Sequence, residues 1–151
     1  MAAKRDSSGN RDTITFLKNQ IDKDNKIQSI FRAAPVGIGM IIDRVITEVN
    51  DTFCRITGYS ADEIIGNSSR ILYPTDEEFE FVGKEKYRQI NEKGSGNVET
   101  KWKKKNGEII DVMLSSSAVD MNNLSRGVTF AVLDISERKA FEETIRMRDI
   151  Q

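Results

Sequence analysis

Apolar residues near the start of the chain follow the spacing of a helix. Residues 1–12 are polar and charged, and we expect them to form a flexible lead-in. Residues 13–33 predict an amphipathic helix, because their apolar positions recur every three or four residues until Pro35. The apolar stripe consists of Ile14, Leu17, Ile21, Ile27 and Ile30. This stripe fits either packing on the helix's own domain or contact with a partner helix.

Five short segments rich in apolar and β-branched residues predict strands. The first two are Ile38–Ile42 and Val45–Val49, joined by a tight two-residue turn. The other three are Asn97–Lys105, Glu108–Asp120 and Gly127–Leu133. The fourth segment is apolar on both faces, so both sides of the sheet need a cover.

The register of the last hairpin is open at the level of sequence. Asn106-Gly107 is a strong two-residue turn signal between the third and fourth strands. A strict two-residue turn places Trp102 on the face opposite Ile110. One bulged residue brings the two side chains onto the same face.

Three helices are expected between the second and third strands. Asn50 is placed to cap the first, and Gly58 is suited to end it. Ser60 and Glu63 have the spacing of a capping box at the start of the second. The third is predicted over residues 76–92, where acidic residues occupy the first turn.

The chain closes with a further helix. Asp134 and Glu137 have capping-box spacing, and Arg138 lies four residues after Asp134, where the two side chains could pair. We interpret residues 136–151 as the start of a C-terminal signalling or linker helix. We expect it to continue toward an output domain.

Composition narrows the class of protein. With 38% hydrophobic and 31% charged residues, the 151-residue chain is typical of one globular domain with flanking elements. The formal net charge of −1 gives no overall attraction to nucleic acid, and the lysine-rich run at 101–105 is interpreted as a solvated hairpin. No apolar run spans a bilayer and no signal peptide is recognisable, so we expect a cytoplasmic segment without membrane contact.

Histidine is absent from the chain. The residue most used for haem ligation, transition-metal binding and general acid–base catalysis is therefore missing. The single cysteine, Cys54, is interpreted as a buried structural thiol and allows no internal disulfide. We expect that this domain is not an enzyme.

The order and spacing of several short motifs resemble those of PAS domains, the small sensor modules of signalling proteins. The matching residues are Asn50, Phe53, Gly58, Tyr59, Glu63, Gly66, Asn106, Gly107, Asp134 and Arg138. The resemblance implies an α+β fold: a PAS-like five-stranded antiparallel sheet with helices on one face, plus N-terminal and C-terminal flanking helices. It places the sensory domain at residues 34–135.

The resemblance also implies an interior pocket between the sheet and the helices. Its candidate ligand-binding residues are Phe53, Ile56, Ile64, Leu72, Val82, Trp102, Val112, Leu114 and Phe130. Ser69 stands where similar flavin photosensors carry the cysteine of their photochemical adduct, so a cysteinyl-flavin adduct is not expected. Histidine-ligated haem is excluded by composition, and the sequence identifies no other cofactor.

Two functions fit these residues best. In the first, the chain is a sensory and dimerisation module of a signalling protein such as a two-component sensor histidine kinase. It relays a change caused by a small-molecule ligand or a partner through the C-terminal helix, and the flanking helices form a homodimer. In the second, it is a ligand-free protein–protein interaction domain whose core is filled by its own side chains. A small self-contained enzyme is a third alternative, and the missing histidine and the absence of a catalytic motif argue against it.

Overall fold

The computed structural model describes residues 7–149, which divide into two units, one up to Ala33 and one from Ala34 onward. The first unit is a single helix, α1 (Ser7–Ala33), whose side chains are exposed from Gly9 to Ile30. It begins six residues before the predicted start, so the expected lead-in is already helical from Ser7. Polar residues are tolerated there because a solvent-facing helix needs no apolar partner at these positions. Residues 1–6 of that lead-in lie outside the described part.

From Ala34 to Asp149, the second unit contains five strands and four α-helices. In chain order these are β1 (Gly37–Ile42), β2 (Val45–Val49), α2 (Asp51–Thr57), α3 (Ala61–Ile64), α4 (Asp76–Lys93), β3 (Ser95–Lys103), β4 (Ile109–Ala118), β5 (Val128–Asp134) and α5 (Ser136–Asp149). Single 3₁₀ turns lie at Ser69–Leu72 and Leu124–Arg126. The strands form one antiparallel sheet in the order β2-β1-β5-β4-β3. The expected α+β fold and its flanking helices are therefore confirmed.

The hairpin between β3 and β4 adopts the bulged register. Trp102 pairs with Ile110, and the N–H of Lys104 donates to the carbonyl of Glu108 at 2.8 Å. The loop therefore has one residue more than a two-residue turn, with Gly107 in the left-handed region at φ 90°. The extra residue puts Trp102 and Ile110 on the same inner face, where both are buried.

The helices that follow β2 cover this inner face. Asn50 caps α2 as predicted: its Oδ1 accepts from the N–H of Phe53 at 3.0 Å and from the N–H of Ile38 at 2.9 Å. Gly58 ends α2 in the left-handed conformation, and Ser60 and Glu63 form the predicted capping box of α3. Helix α4 packs on β3, and α2 packs on β1. The caps at Asn50 and Ser60 therefore fix where the helices that cover the inner face of the sheet begin.

The start of α5 differs in detail from expectation. Asp134 Oδ1 accepts from the N–H of Ser136 at 2.9 Å, two residues on instead of the three of a capping box. Arg138 turns away from Asp134 and pairs with Glu99 at 3.3 Å and with Glu142 at 3.6 Å. The predicted Asp134–Arg138 pair was wrong, because Asp134 is still the last residue of β5 and is not on the helix.

Candidate functional site

A small interior cavity lies between the sheet and the helices. Its volume is ≈ 20 Å³, enough for about one water-sized group. The lining residues are Ile41, Ile46, Ser69, Leu72, Tyr73, Lys86, Trp102, Leu114, Ser116 and Phe130. All of them are buried, so the cavity is part of the core and not a surface cleft.

One wall of the cavity is aromatic. Phe53 packs edge-to-face on Trp102 with ring centroids 5.8 Å apart and on Phe130 at 5.9 Å. Trp102 also lies edge-to-face with Phe130 and with Tyr73. Such pairs contribute about 0.5–1.5 kcal/mol each beyond their burial. We call Phe53, Tyr73, Trp102 and Phe130 the aromatic cluster.

The opposite wall carries a buried cation. Lys86, on the inner side of α4, is only 5% exposed. Burial, followed by the nearby positive charge of Arg44, lowers the pKa of Lys86 to about 8. Within residues 7–149, its side chain makes no hydrogen bond or ion pair, and its Nζ lies 5.6 Å from the centroid of the Tyr87 ring. A lysine in this position carries its charge at a cost in stability.

Arg44 supplies a second cation next to α4. It sits in the turn between β1 and β2 with φ 63°, and Asp43 before it has φ 50°. Its guanidinium lies over the Phe79 ring at 3.4 Å from the centroid and occupies the space in which a side chain at Gly83 would lie. Burial lowers the pKa of Arg44, and nearby Tyr73 and Tyr87 act in the opposite direction. Gly83 therefore allows the guanidinium to approach the helix backbone.

Polar atoms near the cavity are left without partners. Trp102 Nε1, Ser116 Oγ and Arg44 Nε are buried and have no hydrogen bond of good geometry within the described residues. The Tyr73 hydroxyl lies close enough to Trp102 and Arg44 for both to act on its pKa, although burial dominates and raises that pKa. Buried polar groups are normally paired with protein atoms or ordered water, so these three atoms can take a further partner such as a water molecule or a ligand.

Four of the nine predicted pocket residues line the cavity: Leu72, Trp102, Leu114 and Phe130. Phe53, Ile64, Val82 and Val112 are fully buried but lie behind the lining, and Ile56 is only half-buried. Among the motif residues, Tyr59 packs on the edge of the core. Gly66 has φ 91° and donates its N–H to the carbonyl of Ile46. Asn106 Oδ1 accepts from the N–H of Glu108 in the hairpin loop.

The polar lining was missed by sequence reasoning. The cavity lining includes Lys86, Ser116, Ser69 and Tyr73, whereas a lining dominated by apolar residues was expected. One signal was available: Lys86 shares a helical face with Val82 and Ile90, which points it inward. For Ser116, strand alternation with Leu114 gives the same indication.

Cys54 and Ser69 occupy different surroundings. Cys54 is half-buried in α2, and burial raises the pKa of its thiol, so the thiolate is disfavoured. Ser69 is buried at the start of a 3₁₀ turn and lines the cavity. Its N–H donates to the carbonyl of Arg44 at 2.8 Å, which ties this turn to the β1–β2 hairpin.

A second feature joins the sheet to α5. The carbonyl of Asp111 in β4 accepts from the N–H of Ile135 at 2.9 Å, and its N–H donates to Ser136 Oγ at 2.8 Å. Glu99 in β3 pairs with Arg138 at 3.3 Å and with Lys139 at 3.0 Å. The first turn of α5 is therefore held by the two strands that also carry Trp102, Leu114 and Ser116.

The five-stranded antiparallel sheet and the helices over its inner face indicate the family to which the protein belongs. A family model described as "PAS domain" matches residues 35–137, more than half of the chain. The chain therefore belongs to the PAS domain family, and its resemblance to a sensory module is confirmed. PAS domains are sensory modules, not catalytic ones. None of the helices in residues 7–149 has both the length and the apolar character that a membrane span requires.

Particular relatives narrow the context. The chain is 29% identical over 143 residues to the sensor protein TdiS of Thauera aromatica. The match covers 92% of this chain and 26% of the relative, so the chain spans about a quarter of that protein's length.

Solved structures share the fold. The PAS domain of a LuxR-family transcriptional regulator from Burkholderia thailandensis, in complex with ethanol, is 28% identical with a TM-score of 0.67. That match covers 72% of this chain and 96% of the other. A PAS domain from Colwellia psychrerythraea has a TM-score of 0.69 at 18% identity, covering 75% of this chain and 97% of the other.

Proposed function

We propose that this chain is the sensory module of a larger signalling protein and relays a change in its interior cavity through α5 to an output domain. One observation carries the proposal: strand β4 both lines the cavity and holds α5. Leu114 and Ser116 face the cavity, and the backbone of Asp111 on the same strand binds the first residues of α5. Similarity to a sensor protein about four times as long is in keeping with this role.

Strand β3, at the edge of the sheet, also links the cavity to α5. Trp102 faces the cavity, and Glu99, three residues earlier, pairs with Arg138 and Lys139 at the base of α5. A shift of β3 or β4 therefore moves both the cavity wall and the support of the helix. A ligand drives such a shift only if it binds the two arrangements with different affinity, and such coupling typically amounts to about 1–3 kcal/mol.

The relay is tested by changing the cavity and observing α5. Ser116→Val enlarges a buried side chain on the inner face of β4, and Ser117→Val is its matched control on the exposed outer face. Amide hydrogen exchange of α5 is the measurement. We expect Ser116→Val to change exchange in the first turns of α5 several-fold, and Ser117→Val to leave it unaltered. Equal exchange in both variants would show that the cavity and the helix are independent.

A homodimer through the flanking helices belongs to the same proposal. Helix α1 exposes Ile14, Leu17 and Ile21 along one stripe, and α5 exposes Phe141 and Ile145. Apolar stripes of this kind are typical of helices that pack against a second copy. We expect Leu17→Glu to shift the protein from dimer to monomer in analytical ultracentrifugation, and Asn19→Glu to have little effect. A wild-type protein that is monomeric at high concentration would contradict the dimer.

The second candidate function is a ligand-free interaction domain. The cavity volume of ≈ 20 Å³ favours it, because no drug-sized ligand fits without side-chain movement. Native mass spectrometry of freshly purified protein separates the two candidates. A retained small molecule supports the sensor, and a domain that binds only a protein partner supports the interaction domain.

A further inference from the structure

Three polar side chains of the lining can donate hydrogen bonds, and none of the three has an acceptor in good geometry among residues 7–149. Lys86 offers only N–H donors and a positive charge, and Trp102 Nε1 is a donor without a hydrogen bond of good geometry in the described part of the chain, although the Tyr73 hydroxyl lies near it. Ser116 Oγ likewise has no hydrogen-bond partner among the described residues and can donate. Each of these side chains is at least nine-tenths buried and lines the cavity. The interior therefore has surplus donors and surplus positive charge.

Within the described residues no carboxylate acts on Lys86, although Glu80 offsets part of the charge of Arg44. Glu78 Oε1 accepts from Thr100 Oγ1 at 2.5 Å, and Glu80 acts on Arg44. The charged group that acts on Lys86 is Arg44, which is a second cation. Two cations in one desolvated region repel each other, and an anion near both would relieve the repulsion.

We propose that the cavity binds a small carboxylate, with its oxygens on the Lys86 ammonium and on the Trp102 and Ser116 donors. The negative charge of the carboxylate neutralises the positive charge of Lys86, and its two oxygens accept hydrogen bonds from several donors at once. The apolar part of the ligand lies against Leu114 and Phe130. This inference rests on the proposed sensory function, since it names the chemical class of ligand for the same cavity.

The size of the cavity limits the ligand. A volume of ≈ 20 Å³ holds about one water-sized group, so one carboxylate oxygen can take that space and the rest of the ligand has to displace Leu72 or Tyr73. Such displacement alters the 3₁₀ turn Ser69–Leu72, which is hydrogen-bonded to Arg44. The smallest carboxylates are therefore the right first probes.

The test compares each carboxylate with its neutral isostere. Formate and formamide, and acetate and acetamide, are titrated into the whole chain, and binding is followed by NMR of the Lys86 side-chain signals and of backbone amides. We expect each carboxylate to bind about tenfold or more tightly than its amide, because its hydrogen bonds are charge-assisted. We also expect the pKa of Lys86 to rise when formate is bound.

Two variants locate the effect. Lys86→Met keeps the length of the side chain and removes the charge, and we expect it to lower formate affinity to that of formamide. Lys84→Met changes an exposed lysine of the same helix and should leave formate affinity at the wild-type value. Equal affinity for formate and formamide in the wild type, no detectable binding of either, or formate binding that survives Lys86→Met would each overturn the inference.

Failure of this inference is distinguishable from failure of the proposed relay. Ethanol is included as a neutral ligand, because a similar PAS domain forms a complex with it. If ethanol binds and changes hydrogen exchange in α5 while carboxylates do not bind, the relay stands and the carboxylate inference falls. If formate binds through Lys86 and α5 exchange does not change, the carboxylate site stands and the relay falls.

Discussion

The two walls of the interior cavity are built on opposite principles. The aromatic cluster consists of large rings in edge-to-face contact, and Phe53 at its centre is fully buried. The wall around Lys86 holds two cations, Lys86 at 5% exposure and the half-buried Arg44, whose Nε has no hydrogen bond of good geometry within the described residues. The first wall stabilises the fold, whereas the second reduces its stability. Such local costs are typical of functional positions in natural proteins.

The two walls also differ in how common their chemistry is among proteins. An aromatic core is a general solution to burying area. A buried lysine without a carboxylate is rare, because the charge must be desolvated without compensation. The second wall is therefore where the specificity of the molecule should be sought.

The largest change in the free energy of unfolding is expected from a substitution in the aromatic cluster. Phe53→Ala removes a fully buried ring that contacts Trp102 and Phe130, and we expect it to lower the free energy of unfolding by about 3–5 kcal/mol. Urea denaturation followed by circular dichroism measures the change. Phe81→Ala, at an exposed position of α4, is the control and should cost less than about 0.5 kcal/mol. A similar loss in both variants would contradict the view of this wall as the stabilising one.

A gain in the free energy of unfolding is expected from a substitution in the wall around Lys86 and Arg44, which we call the cationic wall. Lys86→Met replaces a desolvated ammonium with an apolar side chain of similar length. Since the pKa of Lys86 falls from 10.5 to about 8, we expect the free energy of unfolding at pH 7 to rise by up to about 3 kcal/mol. Lys84→Met, at an exposed site, should change it little. Destabilisation by Lys86→Met would mean that the ammonium has a favourable partner after all.

The same lysine predicts a pH dependence with a definite sign. Between pH 8 and 10.5 the unfolded chain holds the Lys86 proton more tightly than the folded chain, so stability contributed by this group rises with pH across that window. On lowering the pH, the stability contributed by Lys86 decreases across the same window and is lost once the pH has fallen through about 8.

Other groups near this wall titrate as well, so the difference between two proteins is the informative quantity. Arg44 and Tyr87 face Lys86, and burial raises the pKa values of Tyr73 and Tyr87. Subtracting the stability of Lys86→Met from that of the wild type at each pH isolates the lysine. A difference that does not vary from pH 7 to pH 10.5 would contradict the lowered pKa.

The smallest effect is expected at Ser116. Ser116→Ala removes an unpartnered buried hydroxyl, and we expect a gain of about 1 kcal/mol in the free energy of unfolding. Ser115→Ala, one residue earlier on the outer face, removes a hydroxyl that donates to Asn97 Oδ1 at 2.7 Å. That control should be neutral or slightly destabilising. A loss at Ser116 as large as at Ser115 would show that the inner hydroxyl is satisfied.

Local signals were sufficient for much of the fold. The caps at Asn50 and Ser60, the ends of α4 and the hairpin at residues 43–44 follow from short-range chemistry and were predicted within one or two residues. The register at Trp102 was not decidable, because one bulged residue changes the face of the whole strand at little local cost. Asp134 illustrates the same limit, since two residues decide whether a side chain belongs to a strand or to a helix.

The cavity was less predictable than the fold. Its apolar lining follows from alternation along β3 and β4, which places Trp102 and Leu114 inward. The cationic wall depends on where Arg44 and Lys86 meet in space, 42 residues apart in the chain. Hydrophobic patterning assigns lysines and arginines to the surface by default, so it does not find charges that the fold has buried.

The turn at Asp43-Arg44 has a consequence for anyone who engineers this protein. Both residues hold the left-handed backbone that glycine and asparagine adopt more easily, so a search for thermal stability would favour Asn-Gly there. That exchange would remove the guanidinium from Phe79 and leave the space beside Gly83 unfilled. A more heat-resistant protein would then be selected together with an altered interior. Variants should accordingly be ranked by what they recognise before they are ranked by the temperature they withstand.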